Sequence, residues 1–245
     1  MSKLAYRLIL TLASVALMCG LMSCSRTEED AKPHFERGLA YYNEGKYNEA
    51  IGEYRQAVLL RPDYAEAYYN LGVAYFDAGM YREALGAYQM AIKAKPDFAE
   101  AHYGLAFTLG RLRMYKKAAA AYLDSIRLKP ENAMAHLNLG AVYDELGMYD
   151  DAVKAFSWAA RLDPKSADAY MGLGASYVGL GDYAHAAEAF RQSLRLKPGY
   201  AEAHYNLGIA LVAMKDRDSA LMEYEALKAL DRDKAERLIG LINRR

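Results

Sequence analysis

Residues Ala65–Phe98, AEAYYNLGVAYFDAGMYREALGAYQMAIKAKPDF, decide the fold, because the same pattern returns along the chain. Pro62, Pro96, Pro130, Pro164 and Pro198 fall 34 residues apart. Ala50, Ala84, Ala118, Ala152, Ala186 and Ala220 keep the same interval. A fixed period in this range marks a stack of identical supersecondary units, none of which can bury its apolar face alone. Counted from Ala31, six units start at Ala31, Ala65, Ala99, Ala133, Ala167 and Ala201 and end with Lys234.

Within a unit, apolar residues recur at helical spacing in two runs. Gly45, Gly79, Gly147 and Gly181, at position 15, separate the runs where a helix C-terminus favours glycine. The proline at position 32 closes the second run. Each unit is expected to be helix, turn, helix, turn. Positions 4, 7, 8 and 11 of the first helix share one face, as Tyr68, Leu71, Gly72 and Tyr75 do in the second unit. Small position 8 (Gly38, Gly72, Ala106, Gly140, Gly174, Gly208) is expected to receive the aromatic ring at position 24 (Tyr54, Tyr88, Tyr122, Phe156, Phe190, Tyr224). Residues 235–245, AERLIGLINRR, read as a capping helix with Leu238, Leu241 and Ile242 turned inward.

The pattern resembles the tetratricopeptide repeat family, whose framework W/L-x-x-L-G-x-x-Y…A-x-x-x-F…P is matched most fully in the second to fifth units. The resemblance covers about 31–234 (31–64, 65–98, 99–132, 133–166, 167–200, 201–234) and implies an all-α, right-handed solenoid. Departures are Arg37 at position 7, Arg113 and Lys215 at the turn glycine, and Arg232 in place of proline.

The N-terminus lies outside the repeat. Lys3 and Arg7 precede an uncharged run, Leu8 to Met22, as in an export signal. Leu21-Met22-Ser23-Cys24 resembles the bacterial lipobox, which implies a signal peptide over 1–23, a lipid on Cys24 and a tether over 24–30. Cys19, after bulky Met18, fits less well. An uncleaved membrane anchor and ordinary signal-peptidase cleavage are the alternatives; all three place the repeats outside the cytoplasm. The expected location is the bacterial cell envelope, most simply the outer membrane facing the periplasm. The only cysteines are Cys19 and Cys24, so the repeats hold no thiol to misoxidise. Formal net charge is zero, which argues against nucleic acid as a partner.

If positions 4, 7, 8 and 11 face inward, positions 2, 5, 6, 9, 12 and 13 lie opposite. In the resembled family that face lines a concave groove for peptide segments. Position 5 carries Phe35, Tyr69, Tyr103, Leu137, Met171 and Tyr205, joined by Phe107 at position 9 and Tyr42 and Phe76 at position 12. An aromatic strip of this kind reads either as a contact surface or as rings burying one another between neighbouring repeats. Asn70, Asn138 and Asn206 at position 6 offer amides that can grip a backbone. The asparagine ladder of the O-linked N-acetylglucosamine transferase arm is similar. The Lys/Arg carboxylate clamp of chaperone-binding members is not matched. Asp77, Arg111 and Glu145 at position 13 are expected to alternate as an ion-pair ladder; Arg111 is also a candidate groove residue. Trp158, at position 26, is expected to be exposed on the second helix, as a candidate second contact.

His34, His102, His136 and His204 all occupy position 4 and read as packing residues, too far apart for one metal ion. Arg111, Arg113, Lys116 and Lys117 make the third unit locally basic, read as a solvated turn. No phosphate loop, nucleophile elbow or paired-carboxylate motif is present. No enzyme activity, cofactor or metal is expected. The reading is an adaptor, lipid-anchored in the membrane, that holds a segment of another envelope protein. Alternatives are a recruiting arm for a separate glycosyltransferase or cell-wall hydrolase, and a self-associating structural protein.

Overall fold

A computed structural model describes residues 30–244. The expected export signal, the expected lipidation at Cys24 and the expected tether up to residue 29 fall outside the described residues. Thirteen helices, and no strand, occur among them. They fall into two compact units, one ending at Thr108 and one beginning at Leu109.

The first unit holds α1 (30–43), α2 (Tyr47–Leu60), α3 (Ala65–Asp77), α4 (Tyr81–Ala94) and most of α5 (Ala99–Arg111). The second continues with α6 (Tyr115–Leu128), α7 (Ala133–Glu145), α8 (Tyr149–Leu162), α9 (Ala167–Gly179), α10 (Tyr183–Leu196), α11 (Ala201–Ala213), α12 (Arg217–Leu230) and α13 (Arg232–Asn243). Within each unit neighbours in sequence pack as neighbours in space: α3 on α4 in the first, α7 on α8, α9 on α10 and α11 on α12 in the second.

The 34-residue turn chemistry explains the helix ends. Gly45, Gly79, Gly147 and Gly181 have φ of +74°, +76°, +70° and +76°. After each, paired backbone bonds run back to the preceding helix, as Gly79 N–H to Phe76 O (2.9 Å) and Met80 N–H to Tyr75 O (2.8 Å). This is the Schellman closure that glycine makes cheap. Arg113 and Lys215 make the same closure at φ of +57° and +63°, so these two departures are strained rather than rebuilt.

The interlocking of positions 8 and 24 holds at Gly38, Gly72, Gly140 and Gly174. A Cβ added to Gly72 would lie 2.7 Å from the Tyr88 ring, and one on Gly174 would lie 2.6 Å from Phe190. Only a bare Cα lets the second helix approach so closely. The last unit breaks the rule. Leu238 of α13, not Tyr224, fills the space at Gly208, with Cδ2 2.4 Å from the added Cβ position. The capping helix thus takes the place of a ring. It begins at Arg232, capped by Asp231, three residues ahead of the expected start. Leu238 and Ile242 are buried as expected, but Leu241 is only half-buried and Ala235 takes its share of the core. Arg217, standing where α2, α4, α6, α8 and α10 begin with tyrosine, donates to Ile242 O and to Asn243 Oδ1 (3.0 Å). That clamp satisfies the carbonyl end of α13.

Two further buried positions were absent from the sequence reading. Position 3 (Ala67, Ala101, Ala135, Ala169, Ala203) and position 27 (Ala57, Ala91, Ser125, Ala159, Ser193, Leu227) are sealed from solvent. In the second unit α7 touches α9 and α9 touches α11, so successive first helices bury a second stripe against each other. Small residues there permit that approach.

Candidate peptide-binding surface

The first unit brings three of the nominated side chains together. Phe76 and Phe107 have ring centroids 5.2 Å apart, and Tyr103 stacks on Phe107 at 6.2 Å with planes 7° apart. Tyr81 extends the set, 5.1 Å from Phe76. Phe107 is 38% exposed, so this is aromatic area facing solvent. Such rings offer large contact area at low entropic cost.

Tyr69 does not join them. It packs inside its own repeat, 5.9 Å from Tyr88 and 5.1 Å from Phe98. Phe35 repeats that arrangement with Tyr54 (5.9 Å) and Tyr64 (5.0 Å). Position 5 therefore meets positions 24 and 34 of the same unit. The expectation that such rings would bury one another between neighbouring repeats fails for this pair, because one helical hairpin already supplies the partners. Burial raises the Tyr69 hydroxyl above its ordinary value, with Glu100 adding to it.

The asparagine ladder is also altered. The Asn70 amide donates to Glu66 O of its own helix (2.8 Å), leaving its carbonyl oxygen as the free end. The intervening small residues have a structural reason: a Cβ on Gly104 would meet Tyr88 at 2.6 Å, and one on Gly172 would meet Phe156 at 2.4 Å. Asparagine cannot stand there.

The second unit places its nominees on successive first helices: Arg111 at the end of α5, Asn138 on α7, Met171 on α9, Tyr205 and Asn206 on α11. All but Arg111 are half-buried. Met171 and Tyr205 pack against the core formed around Phe190, Leu207 and Leu238. Tyr205 also opens onto a pocket of about 340 Å³ whose other walls are Glu236, Arg237, Gly240 and Leu241 of α13, with Arg244 just beyond it. Trp158 is 48% exposed on α8, with the Arg161 guanidinium 4.6 Å from its ring centre and His136 stacked at 6.0 Å.

The expected charge ladder at position 13 is not what forms. Asp77 accepts the Tyr42 hydroxyl, and Glu145 takes that of Tyr115. Tyrosine reaches the carboxylate from a rigid ring, whereas a pair of long charged chains would lose more entropy. Burial first, then Asp77, pushes the Tyr42 phenol well above its ordinary value.

The position-4 histidines divide in two. His102 and His136 are buried, each Nε2 donating to a proline carbonyl, Pro96 O and Pro130 O, at 3.0 Å. His34 and His204 are half-buried and face carboxylates, Glu53 (2.7 Å) and Glu223 (2.5 Å), and His204 Nε2 also donates to Pro198 O (2.9 Å). Arg37, the polar departure at position 7, bonds the same Glu53 at 2.9 Å. Burial raises the Glu53 carboxyl, but the bonds from Arg37 and His34 outweigh it and hold it below the usual range. The signal was present in the sequence: position 23 is alanine in the four middle units and glutamate in the first and last.

Comparison with known proteins agrees with this architecture. The family model described as the C-terminal domain of cilia and flagella-associated protein 70, a tetratricopeptide repeat domain, matches residues 7–238. Among solved structures, MamA superposes with a TM-score of 0.66 at 26% identity, covering 71% of this chain and 95% of that one. YrrB, described as a TPR protein with an unusual peptide-binding site, gives 0.66 at 24% identity over 75% and 94%. PilF of Pseudomonas aeruginosa gives 0.71 at 19% identity over 87% and 98%. A search of curated proteins returned no match. A 34-residue helical repeat closed by αL turns, with small position 8 seated on the ring at position 24, and this family match over nearly the whole length, place the chain in the tetratricopeptide repeat family as a protein-interaction scaffold.

Proposed function

We propose that the chain is an envelope adaptor, tethered to a bacterial membrane by a lipid on Cys24, that holds a peptide segment of another envelope protein. The observation that carries the reading is the aromatic cluster of Phe76, Tyr103 and Phe107, in which Phe107 is exposed and the other two rings are half-buried. Exposed Phe107, backed by the half-buried rings of Phe76 and Tyr103, offers aromatic area to a partner. The peptide-binding site named for YrrB supports a peptide as the ligand class for this fold. The outer membrane, facing the periplasm, is the proposed location. No helix among the described residues is long and apolar enough to cross a membrane.

The test uses the full chain in a bacterial host. A photoreactive phenylalanine at Phe107 should capture one discrete protein, and Tyr103→Ala should abolish that product. The same probe at exposed Met90 on α4 should not give it. Capture that is equal at both positions, or insensitive to Tyr103→Ala, refutes the groove. Separately, Cys24→Ala should abolish fatty-acid labelling and release the protein from membranes; continued labelling refutes the anchor.

A further inference from the structure

Within the six repeats, the longest run free of carboxylates lies in the third unit. From Ala101 to Leu123 there is no carboxylate and four cations, Arg111, Arg113, Lys116 and Lys117, in a protein with equal totals of both signs. All four are exposed, and the ion pairs described for the chain engage none of them. Arg113, Lys116 and Lys117 border a shallow pocket of about 320 Å³ at the turn before α6, whose apolar floor is Met114 and Leu146 with Tyr115 beside them. Met114 is 36% exposed. The carboxylate that reaches this turn, Glu145, is occupied by the Tyr115 hydroxyl.

The local energetics run against stability. Lys116 and Lys117 sit in the first turn of α6, which has no acidic residue and no side-chain cap. Cations at that end of a helix oppose the macrodipole. Arg113 adds a left-handed φ of +57° at a turn where four other repeats use glycine. Two local rules are broken at one turn, with no internal partner that repays them, which is a pattern of functional rather than structural residues.

We propose that this turn is a docking site for an acidic protein segment carrying an apolar residue, distinct from the aromatic patch. Charge complementarity names the occupant. Three cations ring a pocket whose floor is apolar, so carboxylates pair at the rim while a Leu- or Met-like side chain covers Met114 and Leu146. The floor separates this from a purely electrostatic surface for a phosphate polymer, which would need no apolar contact. Attraction among exposed charges is screened within about 10 Å at 0.1 M salt, so binding weakens steeply as salt rises.

The probe is a fluorescein-labelled peptide of Glu and Ser with one central Leu, followed by anisotropy on the full chain purified in detergent. Binding is expected at low salt. It should weaken about tenfold, from three charge contacts of 0.2–1 kcal/mol each, in the triple variant Arg113→Asn, Lys116→Gln, Lys117→Gln. That variant should melt no lower than the parent, since Asn tolerates the left-handed turn better than Arg. Replacing the central Leu by Ser should weaken binding independently of salt, and Lys93→Gln on α4 should leave it unchanged. Undiminished binding by the triple variant overturns the proposal, as does no binding of the peptide at any salt. Preference of the same three cations for phosphatidylglycerol vesicles or for single-stranded DNA over the peptide also overturns it.

Discussion

Replacing Gly172 by alanine isolates the physical rule that sets the repeat spacing. Phe156 lies between two bare backbones: an added Cβ on Gly140 would stand 2.9 Å from its ring, and one on Gly172 would stand 2.4 Å from Cε1 and 2.5 Å from Cζ. Carbon atoms in contact prefer about 3.5–4.0 Å, so the new methyl overlaps the ring by about 1 Å. The ring has nowhere to go, because Phe156 is only 4% exposed and its opposite face already rests on Gly140. Overpacking of this kind costs about 1–3 kcal/mol. Alanine returns about 1 kcal/mol through helix propensity. Gly86 on α4 supplies the control, since a Cβ there meets nothing within 4 Å. Gly86→Ala should therefore gain up to about 1 kcal/mol, and Gly172→Ala should fall about 1–3 kcal/mol below it. Urea unfolding followed by circular dichroism reads both. Phe156→Leu should absorb the methyl, so the double variant should lose less than the sum of the two single losses by about 1 kcal/mol. Equal stability of Gly172→Ala and Gly86→Ala, or strict additivity with Phe156→Leu, would refute the reasoning.

Three other expectations follow from the same geometry. The Tyr54 hydroxyl is buried with no hydrogen-bond partner among the described residues, and burial pushes its pKa up to about 12. Tyr54→Phe should be neutral or stabilising by up to about 1 kcal/mol, and a clear loss in urea titration would show that the oxygen has a partner. Arg113→Gly and Lys215→Gly relieve φ of +57° and +63°, and each should raise stability by about 1 kcal/mol in the same assay. Helices α10, α12 and α13 begin at Asp182, Asp216 and Asp231. These carboxyls are held below their ordinary value, chiefly by the His185 backbone N–H, the Ser219 side chain and the Lys234 side chain respectively. A carboxyl lowered on folding adds stability above the unfolded value near pH 4. That stability is lost as pH falls through the lower folded values. Changing all three to Asn keeps the cap acceptor and should flatten the loss of melting temperature between pH 5 and pH 3, whereas an unchanged acid slope would exclude these caps as its source.

The parts legible in the sequence were those that depend on one residue and its neighbours within a single unit. Leu71, Leu139 and Leu207, all at position 7 of the inward stripe, are buried. Misreadings gathered where a side chain's own hydrogen-bond partner, rather than the period, decides its role. Asp77 and Glu145 looked like half of an ion ladder, yet a tyrosine hydroxyl answers each of them. Asn70 looked free to grip a ligand, but its amide turns back to Glu66 O. Arg37 looked like a defect until Glu53 was placed beside it.

A one-dimensional pattern of 34 residues is sufficient to specify helix, turn and inward stripe, because each follows from spacing and from the backbone freedom of glycine. The amino-acid order by itself thus determined the family, the number of units and the packing of position 8. Which rings stay open and which are spent was decided only in three dimensions. Tyr69 and Tyr103 both occupy position 5, but position 9 is Val73 in one unit and Phe107 in the other, and position 34 is Phe98 in one and Asn132 in the other; Tyr69 rests on Phe98 while Tyr103 lies along solvent-facing Phe107. The difference comes from the third and fourth side chains around each ring, and no repeat period encodes those.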